Sequence, residues 1–204
     1  FRSIPFLLMI SASISVFLPP SFAAVLAGYY LMTLSYSLFL KRVSTLDIFV
    51  LAGLYTLRVI AGGAATGIHL SFWLLAFSMF LFLSLAAIKR VSELVDARDH
   101  GDRAVKGRNY SGPDMEALSA IGVASGFASV LVLALYIRSP EVEPMYRRPE
   151  IIYMVCPLLL YWLSRCWVGA RRGKIDDDPL IFAVRDKVSR SIFAVAALLI
   201  FASI

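Results

Sequence analysis

The chain has 204 residues, 59% of them hydrophobic and 17% charged, with a formal net charge of +6 and a mean hydropathy of +0.77. Such a composition excludes an aqueous globular domain and describes an integral membrane protein. Apolar runs near twenty residues, in a solvent that satisfies no backbone polar group, make the expected fold all-α, a polytopic membrane helix bundle in one domain over residues 1–204.

In chain order the apolar runs are Ile4–Leu18, Phe22–Leu40, Asp47–Gly67, Phe72–Ile88, Ala117–Ile137, Ile151–Val168 and Ile192–Ile204, which predicts seven transmembrane helices. The first and last are short for a span of about twenty residues and need tilt or neighbouring residues to cross. The chain opens on Phe1, without an initiator Met or the basic start and cleavage site of a signal peptide, and is read as a fragment of a longer protein.

Within the third run stands Arg58. An arginine at such a depth costs about 2.5 to 3.5 kcal/mol, which points to a polar cavity or a buried anion, with a structural ion pair as the alternative. Tyr55 and Gly62 share its helical face, and Gly62, Gly63, Ala64 and Ala65 leave room for close helix contact or a ligand.

The fourth run leads into the polar stretch Lys89–Tyr110, KRVSELVDARDHGDRAVKGRNY. Lys89, Glu93 and Asp96 stand at i, i+4 and i+7, one face of a helix continuing from the preceding span. Carboxylates beside cations at a membrane surface suit a phosphate and metal site. The plainer reading is a solvated segment with i,i+4 ion pairs.

Gly122 and Gly126 form a G-x-x-x-G in the fifth run, read as helix packing, and Pro157 is expected to kink the sixth. Cys156 and Cys166, ten residues apart on that run, stand roughly 15 Å apart along a helix and do not pair. His69 and His100 are isolated, without metal-ligand spacing. Asp176-Asp177-Asp178-Pro179 can cap a following helix, with a metal role as the second option.

Alternate loops differ in charge. One side holds Arg2, Lys41, Arg42, Lys89, Arg90, Arg98, Arg103, Lys106, Arg108, Arg171, Arg172, Lys174, Arg185, Lys187 and Arg190, the other only Arg138, Arg147 and Arg148. The positive-inside rule makes the crowded side cytoplasmic. Most carboxylates lie there too, more than topology requires, so that side is expected to be the chemical face. The cations imply anionic ligands and membrane lipids, and no basic and aromatic pattern suggests nucleic acid.

The segments YSLFLKRVSTLDIFVLAGLYTLRVIAGGAA (36–65), KRVSEL (89–94), GRNY (107–110) and DDDPLIFAVRDKVS (176–189) resemble the UbiA superfamily of intramembrane prenyltransferases, most of all its decaprenyl-phosphate phosphoribosyltransferase branch. The resemblance implies nine helices around a cavity open to the cytoplasm and to lipid, the seven runs matching the last seven. It also implies a bacterial inner membrane location with the active-site loops cytoplasmic. The family's first Asp-rich motif, N-D-x-x-D-x-x-x-D, has no match in this chain. At the two positions of its second Asp-rich motif, this chain has Lys89 and Asp96.

The implied reaction moves 5-phosphoribose from phosphoribosyl diphosphate to a polyprenyl phosphate, with Mg2+. Glu93 and Asp96 would be the catalytic and metal-binding carboxylates. Lys41, Arg58, Lys89, Arg90 and Arg108 would clamp phosphates, Tyr55 and Asn109 would orient sugar or phosphate, and Asp47 would hold Lys41 or a ribose hydroxyl. The alternatives are a prenyltransferase that alkylates an aromatic acceptor with a prenyl diphosphate, and an organic-anion transporter with Arg58 as counter-ion. The transporter predicts inverted repeats, which the sequence does not display.

Overall fold

A computed structural model describes residues 18–100, 108–140, 146, 148–175 and 178–203. The first apolar run, apart from Leu18, lies outside the described residues, as do Arg2, Asp102, Arg103, Lys106, Arg147, Asp176 and Asp177.

The order is α1 Pro20–Leu38, a 3-10 turn Leu40–Arg42, α2 Leu46–Thr66, α3 Phe72–Asp99, α4 Asp114–Ile137, α5 Pro149–Ile152, α6 Val155–Arg171, α7 Pro179–Arg185 and α8 Lys187–Ser203. Among the described residues five segments, Pro20–Leu38, Leu46–Thr66, Phe72–Asp99, Asp114–Ile137 and Glu150–Arg171, are long and apolar enough to cross a membrane. The all-α membrane bundle expected from the sequence is therefore the fold.

Each boundary has a local cause. Gly67, at φ 70, ends α2 in the left-handed conformation that closes helices without a Cβ penalty. The Ser71 side chain accepts from the Leu74 N–H and starts α3. The expected break near Pro157 falls at Tyr153–Met154. Pro157 has no N–H to give the Tyr153 carbonyl four residues back, and that carbonyl instead accepts from Cys156 N at 3.0 Å. Asp178 caps α7 by accepting from Leu180 N at 2.9 Å, with Pro179 in its first turn, as the sequence predicted.

The long helix α3 is the axis, packed by α2, α4, α6 and α7. Small residues permit this. A Cβ on Gly122 would overlap the Trp167 ring and come within 2.6 Å of Ala87 Cβ, and one on Gly126 within 2.8 Å of Ser84 Oγ. The packing reading of G-x-x-x-G holds. Trp167 leaves no polar orphan in this core, because its Nε1 donates to Ser84 Oγ at 3.1 Å. Gly62, expected beside a close contact, would carry a Cβ into open space, with nothing within 4 Å, whereas Gly63 packs on Leu70.

The chain alternates so that the 40–47 turn, the C-terminal end of α3 and residues 108–114 meet at one end. The link Thr45 N to Tyr110 Oη, 2.8 Å, and the pair Lys89–Asp178 mark that end. At the opposite end Arg148 N donates to Ser203 O at 3.2 Å.

Candidate active site at the charged end of the bundle

A buried ion network forms the floor. Asp47, in the first turn of α2, is 0% exposed and Arg90, on α3, 1%. The Arg90 guanidinium donates to Asp47, to Glu93 Oε1 at 2.6 Å and to Tyr36 Oη at 3.0 Å. Arg108 Nη1 donates to Asp47 Oδ1 at 3.1 Å, and its Nε lies 3.4 Å from Glu93 Oε2. Tyr36 donates to Asp47 Oδ1 at 2.8 Å. Two guanidiniums and two carboxylates thus cancel, which is what makes their burial tolerable.

The network places three of the expected site residues. Arg90 directs its donors to Asp47, Glu93 and Tyr36. Among the described residues, Asp47 binds Arg90, Arg108 and Tyr36 rather than Lys41. Glu93 is ion-paired with both guanidiniums, its Oε2 accepts no hydrogen bond among the described residues, and it lines an acidic pocket.

Tyr110, just outside the membrane-spanning helices, closes the network. Burial pushes its phenol above the ordinary range and the Asp47 charge pushes the same way, so the hydroxyl stays protonated while it accepts from Thr45 N. Thr45 has φ 68, a left-handed conformation that a β-branched residue rarely adopts and that costs of order 1–3 kcal/mol.

Among the described residues, three openings lie at this end. Lys41, Arg42, Arg108 and Asn109 line an open basin of about 360 Å³. Ser92, Glu93, Val95, Asp96, Asp99, Gly173 and Ile175 line an acidic pocket of about 300 Å³. Leu51, Tyr55, Phe82, Leu85, Ala86, Lys89, Asp178, Pro179 and Leu180 line a groove of only about 20 Å³, where Lys89 pairs with Asp178 at 3.5 Å. Basin and acidic pocket touch through the Arg108–Glu93 pair, one residue from each.

Arg58 is exposed on its membrane-spanning helix. Its Nη2 donates to Tyr29 Oη at 2.7 Å, and the guanidinium stacks at 4.9 Å on the Tyr55 ring. Tyr55 in turn stacks on Phe82. Arg58 and Lys89 therefore flank Tyr55 at the groove, apart from the basin.

Among the described residues no three or more His, Cys, Asp or Glu are gathered closely enough to hold a metal alone. Asp96, with its side chain 76% exposed and near His100, is the carboxylate of the expected pair that stays open. Magnesium is commonly held by one or two carboxylates completed by water and substrate phosphates, and Glu93, Asp96 and Asp99 line one pocket.

Sequence reasoning overlooked Tyr36, Tyr29, Arg42 and Arg165. Tyr29 and Tyr36 stand at i, i+7, so both face α2, a spacing that signals them. Arg165 lies inside the sixth apolar run, and the intramembrane-charge rule applied to Arg58 flags it equally. It pairs with Asp186 at 2.5 and 3.1 Å.

No family model matches the chain. The uncharacterized protein y4nM of Sinorhizobium fredii is 37% identical over 185 residues, 90% of this chain and 36% of that protein. The nodulation protein NoeC of Azorhizobium caulinodans is 36% identical over 166 residues, 80% of this chain and 53% of that one. The chain thus spans about half or less of the length of these relatives. A decaprenyl-phosphate phosphoribosyltransferase of Mycobacterium tuberculosis is 42% identical over 77 residues, 38% of this chain and 26% of the enzyme. These partial likenesses support the resemblance of this integral membrane protein to the UbiA superfamily.

Proposed function

We propose that the protein containing this chain transfers 5-phosphoribose from phosphoribosyl diphosphate to a polyprenyl phosphate such as decaprenyl phosphate, at the cytoplasmic face of a bacterial inner membrane. The observation that carries the reading is the contiguity of a cationic basin and an acidic pocket across the Arg108–Glu93 pair. A donor with phosphates at both ends of a sugar needs cations for its oxygens and a carboxylate-rich neighbour for a divalent cation.

In this reading Lys41, Arg42 and Arg108 grip phosphate oxygens and the Asn109 amide orients the sugar. Asp47 and Glu93 hold the Arg108 guanidinium in place where it lines the basin, so a phosphate would meet a preset donor. Asp96 with Asp99 would hold magnesium, which would supply neutralisation of the leaving diphosphate. The bond from ribose C1 to the diphosphate oxygen breaks with its electron pair leaving on diphosphate. A lipid phosphate oxygen forms the new bond to C1. That oxygen is already ionised, so no side chain has to act as a general base, and the pairing of Glu93 with arginines is no handicap.

The test uses the full-length protein in vesicles containing decaprenyl phosphate, supplied with labelled phosphoribosyl diphosphate and magnesium. Label should enter the lipid, and Arg108→Ala should lower kcat/KM for the donor by about tenfold or more, from the loss of hydrogen bonds to a charged group. Prenylation of an aromatic acceptor with no ribosyl lipid formed would hand the assignment to the aromatic prenyltransferases. Anion uptake with neither product would hand it to transport.

A further inference from the structure

The two carboxylate oxygens of Asp178 have different partners. Oδ1 accepts from Leu180 N and starts α7, while Oδ2 lies 3.5 Å from Lys89 Nζ on α3. Both residues line the groove. It holds about 20 Å³, room for little more than one water, between apolar walls that include Leu51, Phe82 and Leu180.

An apolar slot with a cation at its mouth is built for a lipid that carries a negative head. The other side of Tyr55 presents Arg58, which among the described residues has no carboxylate within ion-pair distance and is held by tyrosines alone. A guanidinium at that depth without an acid is costly, and an anion arriving from the bilayer removes the cost. Lys89, by contrast, has its anion already, from within the chain.

We propose that this groove seats the phosphate and first apolar units of the acceptor lipid, and that Asp178 is an internal counter-ion which the lipid phosphate displaces from Lys89. This deepens the transferase reading and rests on it for the identity of the lipid. Asp178 is then a positioning residue. It holds Lys89 at the groove mouth, and it sets a threshold that a neutral lipid does not pass, because only an anion replaces what Lys89 loses.

The test measures equilibrium binding of farnesyl phosphate to the full-length protein in detergent, without donor, so that a protein inactive in transfer still gives a readable answer. Asp178→Asn keeps an oxygen for the Leu180 N–H and removes the charge. It should tighten farnesyl phosphate binding about two- to fivefold, the scale of a partly exposed ion pair. Lys89→Gln should weaken farnesyl phosphate binding, and in that background Asp178→Asn should bring no gain. Asp178→Ser, which also caps, serves as a second variant, with thermal stability followed for both. No tightening in either capped variant, or tightening that survives Lys89→Gln, overturns the displacement. A gain seen with inorganic phosphate or phosphoribosyl diphosphate and not with farnesyl phosphate overturns the lipid assignment.

Discussion

Arg90 sits where almost no water reaches, and the reason is the company it keeps. Its charge is matched by Asp47 and shared with Glu93, while Arg108 balances the second carboxylate. Breaking such a set from one side leaves a buried charge without an answer. Asp47→Leu should therefore destabilise the protein by about 3–5 kcal/mol, read as a lower Tm in detergent, and adding Arg90→Met should recover part of it. The pairing is not legible in the sequence, because the two residues lie 43 positions apart and nothing local links them. Legible instead are the residue types and the stretches that hold them. Asp47, Arg90, Arg108 and Glu93 all stand out in the sequence, but as ligand groups, and the structure turns Asp47 and Arg90 inward.

At the scale of the helix, periodicity is a good guide. The rhythm of Lys89, Glu93 and Asp96 predicts that α3 continues past its apolar part, and it runs to Asp99. What periodicity does not show is which small residue is pressed. Gly122→Ala should cost about 1–3 kcal/mol by overpacking against Trp167, while Gly62→Ala, which meets open space, should leave the Tm unchanged. The start of α8 offers a pH test. Burial alone would raise the Asp186 carboxyl, but the Arg165 guanidinium, together with the Ser189 hydroxyl and amide, outweighs it and brings the pKa to about 2. A carboxyl lowered on folding stabilises above its ordinary value near 4 and loses that contribution as pH falls toward about 2. The Tm difference between the parent and Asp186→Asn should be flat above about pH 5 and shrink to nothing between about pH 4 and 2.

For the molecule as a whole, the loop charges foretell one chemical end, and the structure gathers Lys41, Lys89, Arg108 and Asp178 there. The positive-inside rule predicts that this end faces the cytoplasm. With the native cysteines buried, His69→Cys should react in intact cells with an impermeant thiol reagent added outside, and Lys174→Cys should not. The reverse pattern would invert the topology and move the donor site to the outer face.

Thr45 to Asp47 has a further consequence, one of timing. A ribosome adding about 5–20 residues per second delivers Arg90 roughly 2–9 seconds after Asp47, and Arg108 only later still. Until then the carboxylate at the start of α2 has the Tyr36 hydroxyl and water for partners but no cation, which favours keeping that helix end at the interface during insertion. Water leaves only when α3 returns and Arg90 takes its place, so the floor of the site is sealed in the order of synthesis. A longer chain between residues 66 and 72 would extend the wet interval without changing the finished fold, and the loss would appear in the yield of inserted protein rather than in its stability.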